Sequence, residues 1–296
     1  MVPVVWGAST LVFLMLHLMP GDPVLLIMRT GSPTPEQLAQ LRHQLGLDQP
    51  LIIQYVNWYG RAVRGDLGFS IFTNRPVARE ILSQLPSTIE LAIAAVGIAL
   101  VMGTGLGIVA AYHRNSWVDT LATAIAVVGV SMPNFWFGLL LIFVFAFQFR
   151  LFPAVGQGTL AALVLPAFTL GFGFSAVVTR LLRSNLLEVF RQEYILVARG
   201  KGLPERAVLR KHTLRNAIIP IVTLIGMQLG GLLGGTVVVE TVFARQGIGQ
   251  LLVNAILNKD IPVVQGTVLV AALGFILTNL LVDVLYIFLD PRIRYV

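Results

Sequence analysis

The sequence predicts an all-α integral membrane protein. Six transmembrane helices are expected, with a small helical segment on the outer face after the first. Three observations carry this reading. Of 296 residues, 56% are hydrophobic and only 12% charged, with a mean hydropathy of +0.82. Soluble domains carry about a quarter charged residues, so there are too few here to coat one. Six apolar segments reach or approach the length needed to cross hydrocarbon: 2–19, 86–112, 119–149, 159–180, 216–240 and 263–289; that length is about 20 residues. The excess of basic residues, finally, falls on one side of the resulting topology.

The first segment is short and lacks the Lys/Arg flank of a signal peptide, so it reads as a retained span. The stretch after it is organised. In "TPEQLAQLRHQLGL", Thr34 caps a helix, Pro35 takes its first position and Gln37 completes a capping box. Leu38, Leu41 and Leu45 form its apolar face, and Gly46 suits the stop. A second helix is expected from Pro50 to about Arg64, with Tyr55, Trp58 and Tyr59 on its apolar side and Gly65 ending it. This segment is too small for a soluble catalytic domain. The chain thus divides into a first transmembrane helix (1–19), an extracytoplasmic helical lid (20–85) and a five-helix core (86–296) containing a loop at 181–215.

Within the core, Pro133, Pro166 and Pro220 interrupt spans. Such interruptions are tolerated in membranes where neighbouring helices satisfy the freed carbonyls. Orientation follows from the loops. Nine Lys and Arg lie between Arg180 and Arg215, against Glu188, Glu193 and Glu205. Arg114, Arg292 and Arg294 fall on the same side, whereas the basic residues of the other side are nearly balanced by acids. The positive-inside rule puts both termini and the 181–215 loop in the cytoplasm of a cell membrane. The net charge of +7 is therefore a topology signal rather than a nucleic-acid footprint.

Several chemistries lack their residues. The absence of cysteine removes disulfides, thiolate catalysis and Cys-based metal sites. No G-x-x-x-x-G-K-[ST] is present, and "GTGLG" (Gly103–Gly107) lies mid-span, where glycines let helices approach closely. His17, His43, His113 and His212 are scattered, without H-E-x-x-H, and no G-x-S-x-G occurs. Asp283 alone lies well inside a span, with Glu90 and Glu240 near span ends. That is fewer midplane ionisable groups than an ion-coupled transporter normally uses. No catalytic, cofactor or metal site is expected on this chain.

Two features point to partners. In "GMQLGGLLGGTVVVET", Gly226, Gly230 and Gly234 form one small-residue series, and Gly231 with Gly235 another. Such a face packs either within the chain or against a partner helix across a shared pathway. Ser131 and Asn134 beside Pro133, with Gln228, Thr236 and Glu240, are the polar groups placed to line that path. The second feature is "EYILVARGKGLPERAVLRKHTLRN" (193–216). A helix there meets Gly202, and Pro204 opens the next helix, a corner by the Gly-stop, Pro-start rule. A basic amphipathic stretch commonly just rides on anionic lipid, and periodicity does not separate that from docking.

The wider sequence resembles a known family. "ARGKGLPERAVLRKHTLRNAIIP" (198–220) is similar to the cytoplasmic loop of binding-protein-dependent ABC importer permeases of the dipeptide/oligopeptide (peptide/nickel) group. "HLMPGDPV" (17–24), "RGDLGFS" (64–70), "SMPNFW" (131–136), "VVETVFARQGIGQLL" (238–252) and "NLLVDVLYIFLDPRIRY" (279–295) follow in family order. The chain looks like the first permease subunit of such an importer. The resemblance implies a type I importer fold that translocates di- or oligopeptides. The same architecture also imports nickel chelates, glutathione or other small solutes. A stand-alone secondary transporter is the alternative class. It further implies a second, homologous permease subunit, two ATPase subunits holding ATP and Mg, and an extracytoplasmic binding protein. The loop would contain the helix that couples to the ATPase, with Glu193, Tyr194, Ala198, Gly202, Leu203 and Pro204 as its marked positions. Ala198 and Gly202 match the small residues of E-A-A-x-x-x-G, but Leu196 and Val197 replace its Glu and first Ala. Of the later I-x-L-P, His212 to Arg215 keep only Leu214.

Overall fold

The computed structural model describes residues 2–18, 34–44 and 46–289. The 19–24 part of "HLMPGDPV", residues 290–295 and the side chains of Asp283 and Arg215 lie outside the described residues. Every named element is helical: α1 (Val2–Leu18), α2 (Pro35–Gln44), α3 (Leu51–Val63), α4 (Val77–Tyr112), α5 (Trp117–Ser131) and α6 (Asn134–Leu141). They are followed by α7 (Leu160–Val189), α8 (Glu193–Gly200), α9 (Ile219–Val242), α10 (Ile248–Leu257) and α11 (Ile261–Leu289). α6 runs on as a wider π-turn over Ile142–Gln148, and a second π-turn, Val208–Thr213, lies between α8 and α9.

Among the described residues three helices are long and apolar enough to cross a membrane: α4, α7 and Ile261–Val282 of α11. The pair α5–α6 makes a fourth if its halves are one span. The structure thus supports three to four spans on length and composition, against the six expected.

The prolines explain where helices differ from the expected runs. The residue before a proline is pushed out of the α region, and Met132, before Pro133, is extended at φ −83°, ψ 126°. The expected 119–149 span is therefore broken into halves bent by 109°, a corner rather than a kink. Pro220 sits in the first turn of α9, where its missing N–H would be unpaired in any residue, so it opens a helix and does not bend one. Pro86 and Pro166 lie inside α4 and α7. α4 begins at Val77, nine residues before the expected boundary at 86.

The chain forms two compact units, residues 1–88 with 246–276 and residues 89–245 with 277–296. In the first, the capping box closes as spaced: the Thr34 amide donates to Gln37 Oε1 at 3.1 Å, and the Gln37 amide to Thr34 Oγ1 at 3.4 Å. Gly46 and Gly65 take the left-handed conformation (φ 68° and 82°) that ends α2 and α3. Tyr55 on α3 hydrogen-bonds Thr10 at 2.6 Å and packs edge-on against Phe13 at 5.2 Å, joining α3 to α1.

The turn after α2 is held by His43 Nδ1 and Asp48 Oδ2 at 2.7 Å. That contact raises the His43 pKa and lowers that of Asp48, chiefly through the shared hydrogen bond. The pair's contribution is fully present below the free-histidine value, about 6.5, and is lost as pH rises through the raised folded pKa. On the acid side it is lost as pH falls through the lowered Asp48 pKa. In Asp48→Asn the His43 midpoint is expected to fall in an NMR titration, and an unmoved midpoint would refute the pairing.

The "RGDLGFS" motif acquires a physical role here. Asp260, 3% exposed just before α11, accepts from Ser70 Oγ at 2.5 Å and from the amides of Ile71 and Phe72 at 3.2 and 3.3 Å. Ser70 Oγ in turn accepts from the amide of Thr73 at 2.9 Å. Gly266, a turn and a half into α11, leaves room for Val77, whose Cγ1 would lie 2.7 Å from an added Cβ. Hydrogen bonds to a charged acceptor contribute about 1.5–3 kcal/mol each. Asp260→Ala is therefore expected to lower the melting temperature and open 69–76 to protease. Nicking at the wild-type rate would show that the Asp260 hydrogen bonds do not hold the 69–76 segment.

The second unit is built around α7. Its apolar window is 61% buried, against 28% for those of α4 and α11. Leu91, Ala95, Leu141, Leu165, Leu170, Val239 and Phe243 form one core, and Ala99, Val178, Leu182, Leu186 and Ile221 belong to another. Two of the three glycines of "GTGLG", Gly103 and Gly107, face α7 as expected, whereas Gly105 is exposed with nothing within 4 Å of an added Cβ. An added Cβ on Gly103 would lie 2.8 Å from the Ser175 carbonyl, and one on Gly107 would lie 3.1 Å from that of Thr179. Close helix contact is thus their role.

Candidate functional site

The 193–216 loop forms the expected corner. α8 begins after Gln192 with Glu193 in its first turn and Arg199 in its last, each charge matching the end of the helix dipole it occupies. Gly202 has φ 73°, and its amide donates to the Arg199 carbonyl at 2.9 Å. The Leu203 amide reaches the Ala198 carbonyl at 3.4 Å. Pro204 is the extended N-cap of the next helix, which starts at Glu205.

Side chains lock this corner. Ile195, Ala198 and Val208 are buried together, with Val189 against them. Arg199 bridges the turn to Glu205, Nε to Oε1 at 2.8 Å and Nη2 to Oε2 at 3.2 Å. Its guanidinium also lies 5.7 Å from the Phe190 ring centroid, and Phe190 meets Tyr112 of α4 edge-on at 5.5 Å. The corner is thereby tied to the ends of both α4 and α7. Each exposed contact contributes little alone, but together they leave α8 few ways to move independently of those helices.

The two faces of α8 differ. Ala198 is turned into the chain, where its small side chain admits Val208. Glu193, Tyr194, Gly202, Leu203 and Pro204 are exposed, as are Leu196 and Val197. An apolar strip of Tyr194, Leu196, Val197 and Leu203 therefore faces away from the fold. Leu196 and Val197 were legible as departures from the motif, but not as its outward face.

The polar groups expected along a path are dispersed by burial. Ser131 is exposed at the α5–α6 corner, its hydroxyl bonded to the Val127 carbonyl at 2.9 Å, and Asn134 is half-buried. Gln228 is half-buried, whereas Thr236 and Glu240 are fully buried. Gly226 packs within the chain: a Cβ there would collide with Val282 of α11. Gly230, Gly231, Gly234 and Gly235 continue along α9, and their surroundings lie outside the described residues.

Beyond the His43–Asp48 and Arg199–Glu205 pairs, two further ion pairs among the described residues were likewise not anticipated from the sequence. Arg183 of α7 donates through Nε and Nη2 to both oxygens of Asp119, each at 2.7 Å. Asp119 also accepts from the Asn115 amide at 3.0 Å, at the start of α5 where Ser116 caps. The spacing Ser116-x-x-Asp119 was the available signal; nothing local marks Arg183. The second pair joins Arg245, 1% exposed, to Glu90 at 2.5 Å. The Arg245 amide also bonds the Glu240 carbonyl at 2.8 Å.

Comparison with known proteins follows the same outline. Residues 103–295 match the family of binding-protein-dependent transport system inner membrane components, and residues 2–92 match its N-terminal companion model. The chain is 45% identical over 296 residues, covering 100% of it and 96% of the relative, to a glutathione transport system permease protein, GsiC, of Escherichia coli. The same identity and coverage hold for the GsiC of Shigella dysenteriae. Among solved structures, the fold is similar to a chain of the inward-facing MetNI methionine ABC transporter, with TM-score 0.62 and 18% identity over 71% of this chain and 96% of that one. It is also similar to a chain of an amino acid ABC transporter solved with histidines, with TM-score 0.54 and 19% identity over 73% and 94%.

Proposed function

The chain belongs to the family of binding-protein-dependent transport system inner membrane components and is an ABC importer permease subunit of the peptide/nickel group, and from that premise we propose what it carries and how it is driven. Its substrate is glutathione or a closely related short peptide. The 45% identity across all 296 residues to permeases named for glutathione transport carries this. That identity favours the glutathione alternative over the general di- and oligopeptide reading.

In the proposed assembly the chain crosses the inner membrane six times with both termini in the cytoplasm. It pairs with a second, homologous permease. An extracytoplasmic binding protein delivers substrate, and two ATPase subunits beneath hold ATP and Mg. The outward strip of Tyr194, Leu196, Val197 and Leu203 is the surface offered to an ATPase. Its apolar character suits burial in a cleft, while the basic residues around it stay at the rim. The chain needs no chemistry of its own. Differential contact of α8 with two ATPase states is enough to bias α4 and α7 between two arrangements.

The test is uptake into vesicles carrying the full complex. Labelled glutathione should accumulate only with ATP, and faster than a labelled dipeptide at equal concentration. Uptake driven by a proton or sodium gradient without co-purifying ATPases would reject the importer reading. ATP-driven uptake that prefers the dipeptide would reject the glutathione assignment alone.

A further inference from the structure

We infer that the groove between α5 and α7 is a binding site for the headgroup of an anionic phospholipid. The groove is a cavity of about 740 Å³ lined on α5 by Asp119, Thr120, Thr123, Val127 and Val128, and on α7 by Thr179, Arg180 and Arg183. Its polarity changes along its length. Thr120 and Thr123 lie in the first two turns of α5, directly after its Ser116 cap, at the level of Arg180 and Arg183. Val127 and Val128 continue the same face. At 1.5 Å per residue, Thr120 to Val128 covers roughly 12 Å along the helix. That is close to the distance from headgroup depth into the acyl-chain region, since half the hydrocarbon thickness is about 15 Å.

Charge selects the ligand. Arg180 is exposed and, among the described residues, makes no ion pair. Arg183, which also lines the groove, spends Nε and Nη2 on Asp119, and no hydrogen bond of its Nη1 occupies that nitrogen among the described residues. Two guanidiniums and one carboxylate leave the lining with a net charge of +1. The lining's only carboxylate is already neutralised by Arg183, so no uncompensated negative charge remains for the ammonium of a zwitterionic headgroup. A phosphodiester with no compensating cation fits: phosphate oxygens on the Arg180 and Arg183 guanidiniums, and an acyl chain along Val127 and Val128. Such basic pockets between transmembrane helices are suited to anionic headgroups. The identification of the inner leaflet rests on the proposed orientation; the site itself does not.

The experiment is native mass spectrometry of the full-length chain, purified in mild detergent with its co-purifying subunits, after exposure to defined lipids. Wild-type protein is expected to retain phosphatidylglycerol and to release phosphatidylcholine. Arg180→Gln, which leaves the Asp119 pair intact, is expected to lower phosphatidylglycerol retention roughly fivefold, the scale of one basic side chain near a membrane surface. Val127→Trp, filling the groove wall, should lower it further, while the charge-matched Arg206→Gln in the loop should not. Equal retention by wild type and Arg180→Gln, equal loss in Arg206→Gln, or equal retention of phosphatidylcholine would each overturn the site. Displacement of the lipid by millimolar inorganic phosphate would assign the groove to a free anion instead. A wild-type complex that excludes phosphatidylglycerol while the separated chain retains it would assign the groove to a subunit interface. The readout uses no substrate, ATP or uptake, so its failure and the failure of the transport reading are distinguishable.

Discussion

Arg183→Ala is expected to destabilise the second unit strongly. It removes both hydrogen bonds that Asp119 receives from α7 and leaves a carboxylate whose side chain is only 8% exposed. Removing one partner of a buried pair typically costs about 3–5 kcal/mol, because the survivor remains charged and desolvated. The Arg183 side chain is 29% exposed, so water can reach part of the vacated space and the lower end, about 3 kcal/mol, applies. The loss should appear as a lower melting temperature in detergent and a lower yield of folded protein. Asp119→Asn tests the same pair from the other side. The amide still accepts a hydrogen bond from the Asn115 amide but forfeits the charge, so it should destabilise less than Arg183→Ala. The double variant should be more stable than the sum of the singles, since no uncompensated charge remains. Wild-type melting of Arg183→Ala would mean that the pair is a surface contact of no consequence.

This pair also marks the limit of what the sequence made legible. Local signals were read well, because their physics is local. The Thr34–Gln37 capping box, the glycine stops at Gly46 and Gly65, and the Gly202–Pro204 corner each depend on residues within a few positions. The apolar runs likewise carried the helices, since burial in lipid needs only length and composition. Long-range pairing was not legible. Asp119 meets Arg183 across 64 positions and Ser70 meets Asp260 across 190, and no periodicity records either. Proline gave the place of the α5–α6 break but not its 109° angle, which depends on what each half packs against. At α8, the motif marked Ala198 and Gly202 alike as small, whereas the fold gives them different reasons: Ala198 admits Val208, and Gly202 supplies a left-handed backbone. The outward strip of Tyr194, Leu196, Val197 and Leu203 emerged only once the inward face was fixed.

The two possible reasons for a glycine at 202 can be separated, and the separation is the sharpest test of the coupling role proposed for this corner. An added Cβ on Gly202 meets nothing within 4 Å in this chain, so space inside the subunit does not require glycine. The backbone does: φ is 73°, a conformation that costs an ordinary L-residue roughly 1–2 kcal/mol and is worst for β-branched side chains. Asparagine tolerates it far better. Gly202→Val is therefore expected to relax the turn, shift α8 relative to Glu205, and reduce ATP-driven uptake by about tenfold or more, the effect of a barrier raised by about 1.4 kcal/mol. In the proposed assembly ATP hydrolysis should continue, because the ATPase sites would lie on other subunits. Gly202→Asn should keep most uptake if the corner's backbone is what matters. If Asn fails as badly as Val, the glycine serves the close approach of a docked partner, and the corner's own geometry is not the coupling device. Full uptake in Gly202→Val would remove α8 from the coupling path altogether. Arg199→Ala supplies the intermediate case. It loses the Glu205 bridge and the Phe190 contact while leaving the turn's backbone unstrained. A partial fall in uptake with unchanged membrane insertion would then apportion the corner's stiffness between side chains and backbone.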